Sequence, residues 1–387
     1  MDEARLEIRL IRSLSEIGAE DWNAVANPPG EPYDPFLSWQ FLQALEESGA
    51  AAPETGWAPH HILVEEIGRG LVGAMPLYLK SHSQGEFVFD HSWADAYERA
   101  GGHYYPKLLS AVPFTPVTGR RRLVKPGPDA QRIGDALLGA AVKIAADNDI
   151  SSLHINFLPP EEALRLEAAG LLIRTDQQFH WHNEGYESFD DFLAALSSSK
   201  RKNLRKERQK AQDGLVFRHI TGADITEDHW DVFYEFYMDT GARKWGSPYL
   251  NRETFSLLGE RIADDILLVF AEEDGHPIAG ALNMIGGDRL LGRYWGTTSP
   301  RPMLHFETCY YQAIDFAIAH DLKTVEAGAQ GGHKLARGYV PSTTYSAHWI
   351  AHEGLAQAVE EYLGRERQMV EKEADFLKER TPFKKDG

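Results

Sequence analysis

The stretch "GGHKLARGYVP", Gly331–Pro341, places a histidine, a lysine and an arginine close behind two glycines. Glycines let a backbone bend near a ligand. Lys334 and Arg337 are three apart, so one helical turn aims both at the same anion or oxyanion. His333 can relay a proton. Such a set suits acyl transfer to an amine: a proton leaves the nucleophile, charge develops on a carbonyl oxygen, and both partners must be held. "LHFETCYYQAI", Leu304–Ile314, adds His305 and Glu307 as acid–base or substrate-binding groups. A helix N-terminus favours a glutamate on electrostatic grounds too. Cys309 has no histidine or aspartate at nucleophile spacing and reads as a packed thiol. Tyr310 and Tyr311 read as packing.

A second set lies in a long polar-aromatic segment, about residues 90–129, with little period of its own. "HSWAD" and "YYPKL" offer His91, Trp93, Asp95, Tyr104, Tyr105 and Lys107 as substrate contacts. Asp95 is the expected holder of an ammonium group. A third set is "SSSKRKNLRKERQKA", Ser197–Ala211. From Lys200 to Lys210 seven of eleven residues are basic and one, Glu207, is acidic, in a chain with 40 Lys+Arg against 58 Asp+Glu. Lys200, Arg201, Lys202, Arg205 and Arg208 are the expected phosphate contacts. Arg201, Arg205 and Arg208 share a helical face. Apolar residues are sparse here, so the helix is expected to stay unburied. "HWH", His180–His182, lacks an evident third ligand, so no metal is expected. HExxH, CxxC, Walker A and G-x-S-x-G patterns are missing from the sequence.

Composition bounds these readings. The 387 residues are 43% hydrophobic with nine Trp, enough for two real cores. No apolar run is long enough to span a bilayer. The acidic start "MDEARLEIRL" does not read as a secretory signal. One cysteine fits a reducing compartment, so a soluble cytoplasmic protein, monomer or homodimer, is expected. A net charge of −18 argues against extended nucleic-acid binding but leaves room for one local phosphate site.

The elements that must position these residues occur twice. "PFLSWQFLQAL" (Pro35–Leu45) matches "PYLNRETFSLL" (Pro248–Leu258): Pro, aromatic, Leu, a helix cap, then an amphipathic helix. "VEEIGRGLVGAMPL" (Val64–Leu77) matches "AEEDGHPIAGALNM" (Ala271–Met284), each a hairpin. "AVKIAADNDISSLH" (Ala141–His154) matches "AIDFAIAHDLKTVE" (Ala313–Glu326), each a helix end, a turn and a strand. The offset falls from 207 to 172, so the first half carries 35 extra residues between its hairpin and its second helix. Domains are expected at 1–176 and 177–387. The first holds the insertion; the second holds the basic helix 197–212 and a long C-terminal helix.

Helices, hairpin, then strand–helix–strand is the element order of the GNAT acyltransferase fold. With "YYPKLLSAVPFTPVTGRR", "SSSKRKNLRKER", "RYWG", "LHFETCYYQAI" and "GAQGGHKLARGYVPSTTYSAHW", the chain resembles the FemAB-like predicted N-acyltransferases. The resemblance implies an α/β (α+β) fold of two tandem GNAT-like domains, each a mixed sheet flanked by helices. It implies amide-forming acyl transfer, and it supports Lys334, since Fem-type enzymes carry a lysine in a similar late segment. An acidic residue is expected before the His-Lys pair; Gly332 stands there instead.

The acyl donor divides the readings. GNAT enzymes hold coenzyme A pyrophosphate on the N–H groups of a Gly-rich loop. Here "TTSPRPMLH" has two prolines and no glycine, which makes a poor cradle. "TGRRRLVKPG" has glycines and cations without the usual spacing. Fem-type transferases lack that loop and use aminoacyl-tRNA, so an aminoacyl donor on a tRNA acceptor end, passed to a small amine or peptide, is expected, with no resident cofactor. The alternatives are an acyl-CoA donor, or a non-catalytic GNAT-fold protein that docks RNA or anionic lipid through the basic helix.

Overall fold

The computed structural model describes residues 5–244, 248–328 and 331–384. The first half of the chain runs β1 (Leu6–Ile11), α1 (Ala19–Ala26), α2 (Trp39–Glu47), β2 (Trp57–Pro59), β3 (His61–Glu66), β4 (Gly70–Met75), β5 (Tyr78–Lys80), α3 (His91–Arg99), β6 (Lys107–Ser110), β7 (Leu123–Val124), α4 (Ala130–Asp147), β8 (Ser152–Leu158), α5 (Pro160–Ala168) and β9 (Leu172–His182). The second runs α6 (Phe189–Ala195), α7 (Ser198–Gln212), β10 (Val216–Thr221), α8 (Glu227–Lys244), α9 (Arg252–Ile262), β11 (Ile266–Glu273), β12 (His276–Gly286), β13 (Arg289–Thr297), α10 (Leu304–Phe306), α11 (Gln312–Ala319), β14 (Thr324–Glu326), β15 (Val340–Ile350) and α12 (Glu353–Lys378). The order expected of each repeat appears twice.

Local chemistry explains the match. Ser38 Oγ accepts from Phe41 N at 3.2 Å and Asn251 Oδ1 from Thr254 N at 3.0 Å, so both copies start the equivalent helix with the same cap. The β11–β12 hairpin closes on Asp274 and Gly275 at φ +50° and +80°, the left-handed pair a two-residue turn needs. In each copy one strand pairs in parallel with the strand after the helix: β6 with β8, and β13 with β14. This makes β6 the counterpart of β13 and puts much of the insertion ahead of it. The insertion is also not all irregular. It forms α3, whose inward Trp93 and Ala94 alternate with exposed residues.

The chain divides into two compact units. One takes the residues through Asp176 together with Thr343–Glu371; the other takes Gln177–Ser342 and the residues from Lys372. The segment Thr343–Glu371, expected with the second domain, thus packs with the first. The cause is strand pairing. In the first unit β15 runs antiparallel to β8, with His348 opposite His154 and Ile350 opposite Ser152. In the second unit the end of β9 runs antiparallel to β14, with His182 opposite Thr324 and His180 opposite Glu326. The first unit therefore completes its sheet with a strand from beyond the repeat boundary, while the second pairs β14 with residues that follow its own start. The first core packs Leu137 and Ala141 of α4 on Ile62, Val64, Leu153 and Ile155; the second packs Ile314 and Ala317 of α11 on Trp181, Leu290 and Val325. Each buried Leu, Ile or Val among them contributes about 1.5–3 kcal/mol.

Candidate active site

In the second unit the parallel strands part early. β13 pairs with β14 only at Arg289, Leu290 and Leu291, then runs on to Thr297. At the parting point a side chain on Gly292 would stand 3.1 Å from the Glu326 carbonyl, so glycine lets the backbones meet there before they separate. Beyond β14 the chain makes a tight helical turn, Gly332–Arg337, between Gly331 at φ +127° and Gly338 at φ +89°. Any Cβ at Gly338 would lie 2.5 Å from the Phe192 ring. This turn carries the predicted lysine, histidine and arginine.

Lys334 is 2% exposed, and its Nζ donates to Gly328 O at 2.8 Å. Burial lowers its pKa to about 8, partly opposed by the neighbouring Cys309. The amine thus changes charge near physiological pH. His333 Nε2 meets Tyr310 OH at 3.0 Å, and its ring lies 6.3 Å from that of His305. Arg337 Nη1 donates to His333 O at 2.7 Å, and the guanidinium lies 3.4 Å from the Phe306 ring centroid. Lys334, His333, His305 and Arg337 are therefore gathered by one turn and its facing wall.

That wall is a π-helical turn, Glu307–Tyr311, set between α10 and α11 after Met303 at φ +67°. Such turns are concentrated at functional sites because they re-aim side chains. Here Tyr310 turns onto His333, while Tyr311 donates to Glu207. Both tyrosines do more than pack, which sequence spacing could not show. Glu307 faces the other way. Its Oε1 accepts from Gln312 at 2.7 Å, Gln212 at 2.9 Å and Arg208 at 3.2 Å, and burial raises its pKa despite Arg208. Its bonds run to α7 and α11, not to the Lys334 turn.

The basic helix is half docked rather than unburied. Leu204, Arg208 and Ala211, at i, i+4 and i+7, form its inward row. Arg208 pairs with Glu307 and Asp315 and lies 4.0 Å from the Phe189 ring centroid, so it is committed to the fold and not open to a phosphate. Glu207, the one acid, receives Arg337 Nη2 at 2.6 Å. Lys202, Arg205 and Lys206 point outward, with Arg205 on Asp190 at 2.9 Å, and Lys200 and Arg201 are half-buried.

In the first unit the predicted contacts split. His91 and Asp95 lie on the exposed face of α3, where Asp95, Glu98 and Arg99 line a surface hollow of about 400 Å³. Trp93 turns inward, with its ring 5.0 Å from His348. Tyr104 and Lys107 are fully buried. Lys107 Nζ donates to Ser83 Oγ at 2.8 Å, to Glu86 Oε2 at 2.7 Å and to Asp90 Oδ2, while Tyr104 donates to Asp90 Oδ2 at 2.7 Å. Tyr105, half-buried, shares a 2.8 Å bond with Ser83. Burial lowers the Lys80 pKa to about 7 and raises that of Glu86 to about 7, the latter opposed by Lys107. Burial also works against the Lys107 ammonium, but Glu86 and Asp90 together hold its pKa above the ordinary value. Lys80, Glu86, Asp90, His154 and His348 were not singled out in the sequence. They are scattered over 269 positions, and strand register together with the irregular segment Ser81–Asp90 brings them together.

The loops expected to test the donor are internally occupied. Thr298 N donates to Ile278 O at 3.3 Å and Ser299 N to Thr297 Oγ1 at 3.1 Å. In the first half, Arg121 spends its guanidinium on the carbonyls of Asn156, Val117 and Arg120. Among the described residues no group of His, Cys, Asp and Glu is arranged to hold a metal ion, and no helix is long and apolar enough to cross a membrane.

A family model, FemAB-like, peptidoglycan biosynthesis/recognition, matches residues 13–385 of the chain. Among solved structures FemX superposes with a TM-score of 0.56 at 13% identity, over 91% of this chain and 100% of that one. The C-terminal DUF2156 domain of a putative lysylphosphatidylglycerol synthetase from Agrobacterium fabrum gives 0.55 at 11%, over 90% of this chain and 96% of that one. A conserved protein of unknown function from Bacteroides thetaiotaomicron gives 0.52 at 11%, over 89% and 100%. At such identities the likeness is one of fold. No curated protein matches by sequence.

Proposed function

The chain belongs to the FemAB-like family, and from that premise we propose that it is an N-acyltransferase whose reacting centre is the Lys334 turn. The observation that carries this reading is one buried amine whose Nζ is held on Gly328 O, two residues past the end of β14, where burial lowers its pKa to about 8. The acceptor amine attacks the acyl carbon and the carbonyl oxygen gains charge; the intermediate then collapses, breaking the bond to the donor's ester oxygen or thioester sulfur, which leaves with that electron pair and is protonated. Lys334, as an ammonium with one N–H on Gly328 O, has further N–H groups to offer that oxygen. His333, bonded to Tyr310, is placed to take the proton the amine loses. His305 completes the aromatic wall against Trp295 and Tyr310.

An aminoacyl group is the favoured donor and a small amine or peptide the favoured acceptor. Thr298 N and Ser299 N in one loop and the Arg121 guanidinium in the other are engaged elsewhere, and the first loop has two prolines, which weighs against coenzyme A. The relative named as a lysylphosphatidylglycerol synthetase points the same way. The outward residues of α7, Lys202, Arg205 and Lys206, with Lys200 and Arg201 beside them, would hold a few phosphates of a tRNA acceptor end, and the acidic remainder would repel other RNA. A cytoplasmic location fits this donor. The test is a single-turnover assay with labelled aminoacyl-tRNA or acyl-CoA and a panel of amines, run on wild type and Lys334→Met. Lysine-dependent amide formation from the aminoacyl donor supports the reading; turnover unchanged in Lys334→Met ends it.

A further inference from the structure

Lys80 and Lys107 face each other across the antiparallel pair β5–β6, and neither is exposed. Like charges directly opposite on a sheet repel. The compensating charge comes from Ser81–Asp90, a segment without helix or strand that holds Phe87 at φ +58°, a conformation non-glycine residues seldom adopt. Glu86 and Asp90 each put one carboxylate oxygen on Lys107, and Ser83 Oγ takes its third N–H. Lys107 is thereby saturated. Lys80 is not. Its Nζ reaches Gly56 O at 3.1 Å and Gln84 O at 3.4 Å, and stops 3.9 Å from Glu86 Oε1, too far for a hydrogen bond.

Each carboxylate therefore keeps one open oxygen. Glu86 Oε1 and Asp90 Oδ1 are buried without a hydrogen-bond partner, and so is the indole N–H of Trp93. The parent side chains of the two oxygens are 3% and 2% exposed. Open carboxylate oxygens in a protein interior are costly, and both require donors. The surroundings already suit cations: Lys80 Nζ lies 3.8 Å from the Trp57 ring centroid, and Lys107 Nζ lies 5.7 and 5.9 Å from those of Tyr104 and Tyr105. Aromatic faces beside carboxylates recognise ammonium groups.

We propose that Glu86 Oε1 and Asp90 Oδ1 form a binding site for the ammonium group of a small primary amine, entered through Ser81–Phe89, with Lys80 as its built-in competitor. The site rests on these residues alone, whatever the role of Lys334. The ammonium would donate to both open oxygens. Lys80, being of the same charge, opposes it across Glu86.

The full chain is titrated with n-propylammonium chloride while the Trp93 indole resonance, assigned by its loss in Trp93→Phe, is followed by NMR. n-Propanol and sodium chloride are the controls. The ammonium is expected to shift the resonance saturably and the controls are not. Lys80→Met, which removes the competing charge, is expected to tighten binding severalfold, and Asp90→Asn to weaken it severalfold. The site is ruled out by no saturable shift, by equal shifts with the alcohol or salt, or by unchanged affinity in Lys80→Met. Should Asp90→Asn fail to fold, the Lys80→Met comparison decides alone.

Discussion

Arg337 Nη2 stands 2.6 Å from Glu207 Oε1, and through this pair the turn that holds Lys334 is fastened to the one acidic residue of a basic helix. Tyr311 of the π-turn donates to the other oxygen of the same carboxylate. Two neighbouring residues of α7 thus serve as rivets: Glu207 to the Lys334 turn, Arg208 to Glu307 and Asp315. The inner face of α7 organises the site, and its outer face keeps the positive charge for a partner.

Glu207→Ala should loosen this joint. Arg337 and Tyr311 both lose their acceptor in a largely buried place, so the fold should lose about 1–3 kcal/mol. Glu207→Asp should recover part of the loss and Glu207→Gln less, because the bond to arginine is charge-assisted. Urea titration of the four proteins checks this; equal stability of Ala and Asp variants would contradict it.

Arg208 and Lys202 should separate structure from binding. Arg208→Ala leaves the Glu307 carboxylate, fully buried, without its cation, and a broken buried pair typically costs about 3–5 kcal/mol. Lys202→Ala, on an exposed position, should change stability by less than about 0.5 kcal/mol. It should instead reduce the salt dependence of RNA binding by about one phosphate contact. Denaturation of both variants, and binding to a short RNA hairpin at several salt concentrations, give the two numbers.

What was legible in the sequence follows from range. The caps at Ser38 and Asn251 act within three residues, and the glycines around Lys334 bend their own neighbours, so both are visible as short motifs. Asp95 and Trp93 are two residues apart on a helix, about 200° around its axis, so one faces solvent and the other the core, a split that their shared motif does not display. The acids that meet Lys107 are Glu86 and Asp90, on an irregular segment with no period to read. That β15 packs with the first unit depends on which of several similar strands pairs last, and alternation along a strand does not name its neighbour.

His154 and His348 share a 2.7 Å contact between their Nδ1 atoms and are both buried. Burial lowers the first to a pKa of about 3, with Lys107 adding to the effect, and puts the second well below its ordinary value, with His154 adding. The unfolded chain therefore binds protons that the folded chain refuses below the ordinary histidine range. Stability from this pair is present near pH 7 and is lost as pH falls below about 6.5. His348→Gln should make the fall between pH 6.5 and 4.5 shallower than in wild type. Urea midpoints at a series of pH values test this, and parallel curves for the two proteins would refute it.

Lys334 should trade stability for activity. Its folded pKa, about 8, lies below the ordinary lysine value of 10.5. The unfolded chain holds the extra proton across that window, so this group's contribution to stability rises with pH between them. At pH 7 the buried ammonium costs about 3 kcal/mol, part of which its bond to Gly328 O returns. Lys334→Met should therefore be more stable than wild type at pH 7, by about 1–2 kcal/mol, with the advantage shrinking toward pH 10, while amide formation is lost. If the ammonium is the species that steadies the oxyanion, wild-type turnover should also fall as pH rises through about 8. A base at this position would make turnover rise there instead, so one pH–rate profile distinguishes the two roles of the same side chain.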